Sequence, residues 1–290
     1  TPGIYKSHQF PDINEACQSA KGGVRPVMME SIESIRIFYP PVIAQNKAFD
    51  TMILKEYIQC QALEYLSRQS EAAGMCFIGG TCLRLVHGIN RFSEDLDFDC
   101  KNLDQTKFMR LTDNLALYLE KCGYKVEIKE KESEKLSAFR RSIYFPELLY
   151  SMHLSGYREQ RFLLKVETQD QKIEYPCETV FLNRCGFLFP LKVAPISVLC
   201  AMKVMAVINR GKGRDFYDLI FLLQRTEPDY SFLKQKKGIS DKSQLITDLI
   251  KIVETTDLSR KCRDFAHLLI DKSDAERILR FGDLVKNLSG

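Results

Sequence analysis

No apolar run in this 290-residue sequence approaches the roughly 20 residues that span a bilayer, which excludes a membrane-crossing helix. The opening TPGIYKSHQF has no secretory h-region, so the expectation is a cytoplasmic protein without a membrane partner. There is no CxxC and no Cys/His cluster at zinc spacing, and the four histidines are scattered. A zinc centre is therefore not expected, and the ten cysteines read as reduced thiols rather than a disulfide framework. Cys76, Cys82, Cys122, Cys200 and Cys262 sit inside apolar patterns, where a thiol behaves as a small hydrophobe. Strong charge imbalance is missing too. A net charge of +4, with 28% charged and 45% hydrophobic residues, is ordinary for a soluble globular chain. That balance permits nucleic-acid binding without arguing for it. Repeats and low-complexity segments are absent, leaving one large domain or two modest ones.

Prolines at positions 2, 11, 26, 40 and 41 break any long element in residues 1–45, which read as an arm packed on the body. An apolar stripe through Phe49, Ile53, Tyr57, Leu63 and Leu66 predicts a helix over about 44–70. A second helix is expected over 104–122, then strands over 124–132 and 137–145 joined by a solvated hairpin tip at 129–135. A short helix at 146–153 precedes a strand at 161–169, and 178–189 reads as a strand pair or an edge strand. Beyond Pro195 every periodic segment is helical: 195–209, 214–225, 229–237, 241–255, 258–270 and 273–287. The pattern implies an α+β chain: a mixed-sheet domain over 46–192, followed by an all-helical domain over 193–290.

The most informative stretch is CFIGGTCLRLVHGINRFSEDLDFDC, residues 76–100. A short apolar strand breaks at Gly79-Gly80, an amphipathic turn of helix follows, and a second strand carries Asp95, Asp97 and Asp99 in alternation. Strand side chains alternate faces, so the three carboxylates share one face and Leu96 and Phe98 the other. Gly79, Gly80 and Thr81 lie between strand and helix, where free N–H groups and the Thr81 hydroxyl can meet a phosphate. Asp95 and Asp97 are the expected ligands of Mg²⁺ or Mn²⁺, which bind carboxylates together with substrate phosphates. Glu167 is the candidate third ligand; a salt bridge to Lys165 or to a cross-strand base explains it as well. Asp99, deeper along the strand, reads as a solvated or paired carboxylate. Arg91 and Ser93 flank the strand as candidate nucleotide contacts; Arg91 can clamp a phosphate or neutralise Asp95 or Glu94.

A second constellation is KVMAVINRGKGRDFYDLIFLL. Lys203 sits on an otherwise apolar helix face and must reach an anion, either a nucleotide triphosphate or a nearby aspartate. Asp215 and Asp218 occupy the first turn of the next helix, where the helix dipole favours them, and their spacing of three puts them on one face.

GGTCLRLVHGINRFSEDLDF and KVMAVINRGKGRDFYDL, in that order, resemble the two signatures of the AbiEii-type nucleotidyltransferases, toxins of bacterial toxin–antitoxin and abortive-infection systems. KEYIQCQALEYL and FLLKVET fit as well, and the likeness runs from about residue 45 to 225. The resemblance implies a DNA polymerase β-like nucleotidyltransferase fold followed by a helical C-terminal domain. In it Asp95 and Asp97 would hold metal, Gly79, Gly80 and Thr81 would form the phosphate loop, Lys203 would bind nucleotide and Asp215 would be the acid of the second signature. It further implies transfer of a nucleotide from an NTP to an RNA end, in some members the tRNA acceptor, and a cognate antitoxin. The alternatives are a nucleotidyltransferase acting on a small molecule such as an antibiotic, and a catalytically silent nucleotide- or RNA-binding partner of the same fold.

Overall fold

The computed structural model describes residues 29–101, 103–129 and 138–288. The expected arm at 1–45 therefore lies partly outside the described residues, as does the expected hairpin tip. What is described before residue 50 is more ordered than its prolines suggest. Helix α1 (Ile32–Arg36) is capped by the Ser31 hydroxyl, and α2 (Pro41–Ala44) begins on proline, whose missing N–H is no loss in a first helical turn. Arg36 pairs with Asp50, and the Tyr39 hydroxyl donates to the Ile53 carbonyl, so the segment is pinned to the next helix.

That helix, α3, runs Asp50–Ser67, shorter than expected because the Asn46 side chain caps a separate 3₁₀ turn at Lys47–Phe49. Strand β1 (Met75–Ile78) leads into α4 (Gly79–Leu85), and the loop after it into β2 (Asp95–Cys100). Helix α5 (Gln105–Lys121) starts at Asp104, whose side chain accepts from Lys107 N–H at 2.8 Å. Strands β3 (Glu127–Lys129) and β4 (Ala138–Tyr144) follow, then α6 (Leu148–Ser151), β5 (Leu163–Gln169) and the hairpin β6 (Glu178–Arg184)–β7 (Phe187–Val193). The described strands form one mixed sheet in the order β3-β4-β5-β2-β1-β7-β6. β1 pairs antiparallel with β2 and parallel with β7, while β2 pairs parallel with β5.

The period-2 pattern decides what each face does. On β2, Leu96 and Phe98 are buried, and on β5 Leu164 and Val166 are buried with them. The face carrying Asp95 and Asp97 also carries Lys165 and Glu167, because the parallel register sets Asp95 beside Lys165 and Asp97 beside Glu167. Strands β2 and β5 are thus apolar on one face and charged on the other.

After Val193 the chain is helical: α7 (Ile196–Asn209), α8 (Gly213–Leu223), α9 (Tyr230–Lys237), α10 (Lys242–Thr255), α11 (Leu258–Arg263) and α12 (Phe281–Asn287). The two long helices expected at the end are shorter. α11 gives way to a 3₁₀ turn at Ala266–Leu268, and Lys272–Arg280 is wound as 3₁₀. No helix of the described residues is long and apolar enough to cross a membrane.

One apolar core runs through sheet and helices alike, from Phe77 and Leu96 to Val204, Phe216 and Phe281. The loop at 89–93 is strapped across it. Phe92 N–H donates to the Leu268 carbonyl at 2.8 Å, and Asn90 Nδ2 donates to Asp274 Oδ2 at 3.0 Å. Arg91, 1% exposed, makes a bidentate pair with fully buried Asp218 of α8, both contacts at 2.6 Å. Removing one member of a buried pair strands the other charge in low dielectric. Arg91→Ala is therefore expected to destabilise the whole chain by about 3 kcal/mol or more, in a single urea transition. A loss below about 1 kcal/mol, the scale of a surface pair, would contradict this reading.

Candidate active site

Asp97 and Lys203 line opposite walls of one cleft of about 460 Å³, between the charged face of the sheet and α7. Gly79, Glu167, Asn209 and Arg210 line the same end. The Asp97 carboxylate rests on Gly79, which adopts φ +78° at the start of α4. A Cβ on Gly79 would lie 2.3 Å from Asp97 Oδ2 and 2.8 Å from Asp97 Cβ, so only glycine leaves room for that carboxylate.

The electrostatics of this end are uneven. Burial, reinforced by the neighbouring charges of Asp95 and Glu167, lifts the Asp97 carboxyl to about 6, against the opposing pull of Lys203 and Arg214. Across the cleft Lys203 Nζ lies 2.7 Å from Asp218 Oδ2 and 3.8 Å from Asp215 Oδ1. Arg210 grips both oxygens of Asp215, at 2.8 and 2.9 Å. Burial alone would raise both carboxyls. For Asp215 the hydrogen bonds from Arg210 and the charge of Lys203 win, and for Asp218 the charges of Arg91 and Lys203 win, so both stay below the usual range. Three cations, Arg91, Lys203 and Arg210, thus share two carboxylates. One positive charge is left over, and Lys203 and Arg210 carry it to the cleft wall.

A family model described as the AbiEii toxin nucleotidyl transferase of type IV toxin–antitoxin systems matches residues 61–257, well over half of the chain. The chain belongs to the AbiEii nucleotidyltransferase toxin family. No curated protein matches its sequence. Among solved structures it is similar to MenT4, a nucleotidyltransferase toxin of Mycobacterium tuberculosis, with a TM-score of 0.53 and 17% identity over 89% of this chain and 90% of that one. It is also similar to JHP933 of Helicobacter pylori, with 20% identity over 82% of this chain and 91% of that one and a TM-score of 0.46. The MenT4 likeness shows that the AbiEii chain has the α+β nucleotidyltransferase-toxin fold.

Within this AbiEii fold the expected site residues separate into two groups. Asp97, Gly79, Glu167 and Lys203 come together at the cleft. Asp95 stands two residues before Asp97 along β2, outside the cleft lining, with Lys165 Nζ at 3.5 Å from Oδ1. The other expected residues have these partners. The Thr81 hydroxyl is fully buried and donates to the Asp95 carbonyl, so it ties α4 to β2 and has no lone proton to offer a phosphate. Arg91 pairs with Asp218 rather than with Asp95 or Glu94. Ser93 Oγ faces buried Gly80 rather than the cleft, and the Ser93 carbonyl accepts from Gln59 Nε2. Glu167 is held by Arg140, its register partner on β4, at 2.7 Å, and among the described residues no three-ligand metal cluster forms. Asp215 is wholly buried between Arg210, Lys203 and the N–H of Lys212, behind the cleft wall. Asp99 is paired rather than solvated: it accepts from Gln171 N–H and the Tyr175 hydroxyl.

The residue that sequence reasoning undervalued is Asp218, which holds Lys203 more closely than Asp215 does. Its signal was present in the three-residue spacing of RDFYD.

Because the Asp97 pKa is raised on folding, the neutral form favours the fold, and that stability is present below about pH 4 and lost as pH rises through about 6. Asp97→Asn should therefore melt with wild type near pH 4 and be more stable by about 3 kcal/mol above pH 7. A constant difference across that window in thermal melts would refute the assignment. Gly79→Ala should cost about 1–3 kcal/mol through its left-handed backbone and displace the Asp97 carboxylate. Nucleotide incorporation should then fall at least a hundredfold at temperatures where circular dichroism shows the variant folded.

Proposed function

We propose that this chain transfers a nucleotide from an NTP to the 3′ end of an RNA acceptor, with tRNA the expected acceptor, and that a cognate antitoxin restrains it. The observation that carries this reading is the pairing of Asp97 and Lys203 across one cleft, a carboxylate on a strand end opposite an excess positive charge. Polyphosphate is an anion suited to that excess. Lys203, steadied by Asp218 and Asp215, would meet its oxygens, with Arg210 beside it. Gly79, the first residue of α4, lets the phosphates approach the backbone closely.

Asp95 and Asp97 suit a hard divalent cation such as Mg²⁺ or Mn²⁺. They are oxygen donors two apart on one strand face, and Asp97 is crowded enough by its neighbours to gain from a cation. Such an ion would neutralise phosphate oxygens and acidify the attacking hydroxyl. With Glu167 engaged by Arg140, the remaining ligands would come from substrate and water. What the chain itself contributes is position and fixed charge, the main sources of rate in phosphoryl-type transfers. On the acceptor side, half-buried Arg214 acts electrostatically on Asp97, exposed Lys212 precedes it, and Lys165 sits beside Asp95. These cations suit the phosphates of an incoming RNA strand.

Incubation with each α-³²P-labelled NTP, Mg²⁺ and total cellular RNA, resolved on a denaturing gel, should label an RNA band of tRNA size. Asp97→Ala should abolish the label while remaining folded, and Lys203→Ala should weaken NTP binding far more than RNA binding. Label in a small molecule instead of RNA, or an Asp97→Ala protein that still labels RNA, would overturn the proposal.

A further inference from the structure

The cleft does not end at the carboxylates. It continues past Glu167 to Gln169 and Gln171, with Met202 of α7 and Phe232 and Lys236 of α9 on the other walls. Strand alternation puts Gln169 on the face of Glu167, about 7 Å further along at the usual rise of a strand. Gln171 is held with unusual care for a residue just beyond a strand. Its N–H donates to Asp99 Oδ1 at 2.9 Å, and its carbonyl accepts from Lys236 Nζ at 2.5 Å. Asp99 is in turn held by the Tyr175 hydroxyl, and the Tyr175 ring lies 6.5 Å from that of Phe232. The backbone of Gln171 is thus pinned from both sides, while its side-chain amide, like that of Gln169, makes no hydrogen bond among the described residues.

The two ends of the cleft differ in chemistry. The Gly79 end carries the surplus positive charge. The far end offers a half-buried thioether, the deeply buried ring of Phe232 and two amides without hydrogen bonds among the described residues, and its cation, Lys236, is spent on a carbonyl. An apolar wall with a few fixed polar groups suits a neutral, flat ligand that has both donors and acceptors on its edge. We propose that this far end is the nucleobase subsite, and that Gln171, presented by Asp99 and Lys236 and assisted by Gln169, selects which NTP is used. The inference rests on the reading of the cleft as a nucleotide site, and it gives Asp99 a task as a positioning residue.

The test measures equilibrium binding of the four ribonucleoside triphosphates and of inorganic tripolyphosphate, with Mg²⁺, to the full chain and to Gln171→Leu, Gln169→Leu and Gln171→Glu. The wild type should prefer one or two NTPs by at least tenfold. Gln171→Leu should shrink that spread to under about threefold, with Gln169→Leu intermediate and tripolyphosphate affinity unchanged in both. Gln171→Glu, which keeps an acceptor but loses the donor, should reorder the four NTPs, an effect that a merely structural side chain would not produce. The inference is overturned if the spread survives Gln171→Leu, if tripolyphosphate affinity falls equally, or if the wild type binds tripolyphosphate yet treats the four bases alike. Binding of neither NTP nor tripolyphosphate would instead refute the nucleotide reading of the cleft, and the subsite with it.

Discussion

The buried cluster of Arg91, Asp218 and Lys203 is the constraint on which the rest of the molecule depends. Desolvating these groups is expensive, and a well-packed apolar triad would serve stability as well or better. What an apolar triad could not do is tie three separate parts of the chain to one orientation. Arg91 comes from the loop before the acidic strand, Lys203 from α7 and Asp218 from α8. Asp218 accepts from both Arg91 and Lys203. The loop that delivers β2 and the helix that delivers Lys203 are therefore fixed relative to each other by the same carboxylate. Because Arg210 joins through Asp215, the cluster also carries more cations than anions, and that imbalance faces the cleft.

The opposite wall has the complementary imbalance. Asp95, Asp97 and Glu167 crowd one sheet face, and burial together with the two neighbouring charges raises the Asp97 pKa. A fold selected for stability alone would place an apolar or neutral residue at Asp97. The glycine beneath it, in a left-handed backbone, adds to the cost. Negative and positive charge are kept apart by the width of the cleft instead of being allowed to cancel, which is the arrangement a site needs to act on a polyphosphate and its counter-ion.

Much of this was legible in one dimension. The alternation of DLDFD placed three carboxylates on one strand face, the glycine pair marked the strand-to-helix turn, and the apolar surroundings of Lys203 required it to reach an anion. The presence of a sheet among helices in the first part and the all-helical second half followed from periodicity. What was not legible was partner choice. Thr81, Arg91 and Glu167 are polar groups in the right neighbourhood, and all three are consumed by contacts that only tertiary structure defines: a β2 carbonyl, an aspartate 127 residues away, and a β4 arginine in register. Asp215 and Asp218 share a helix face, so their roles depend on the angle at which α8 meets α7, and no pattern in RDFYDL encodes an angle. The 3₁₀ winding of Lys272–Arg280 was hidden for a related reason, since i+3 and i+4 spacings look alike over nine residues.

The three aspartates of β2 show how far position along a strand can separate identical side chains. Asp95 lies near the rim, where Lys165 and solvent share its charge. Asp97, two residues on, has lost solvent and gained two like charges, so its carboxyl is raised above the usual range. Asp99 is buried as deeply as the core, and a carboxylate there must be fully satisfied or not ionised. It is satisfied by the Gln171 N–H and the Tyr175 hydroxyl, groups from the segment leaving β5. A residue that looks like the idle end of an acidic run is therefore what shapes the loop at the far end of the cleft. The same alternation that crowds charge at one end of the site anchors a neutral, amide-bearing turn at the other.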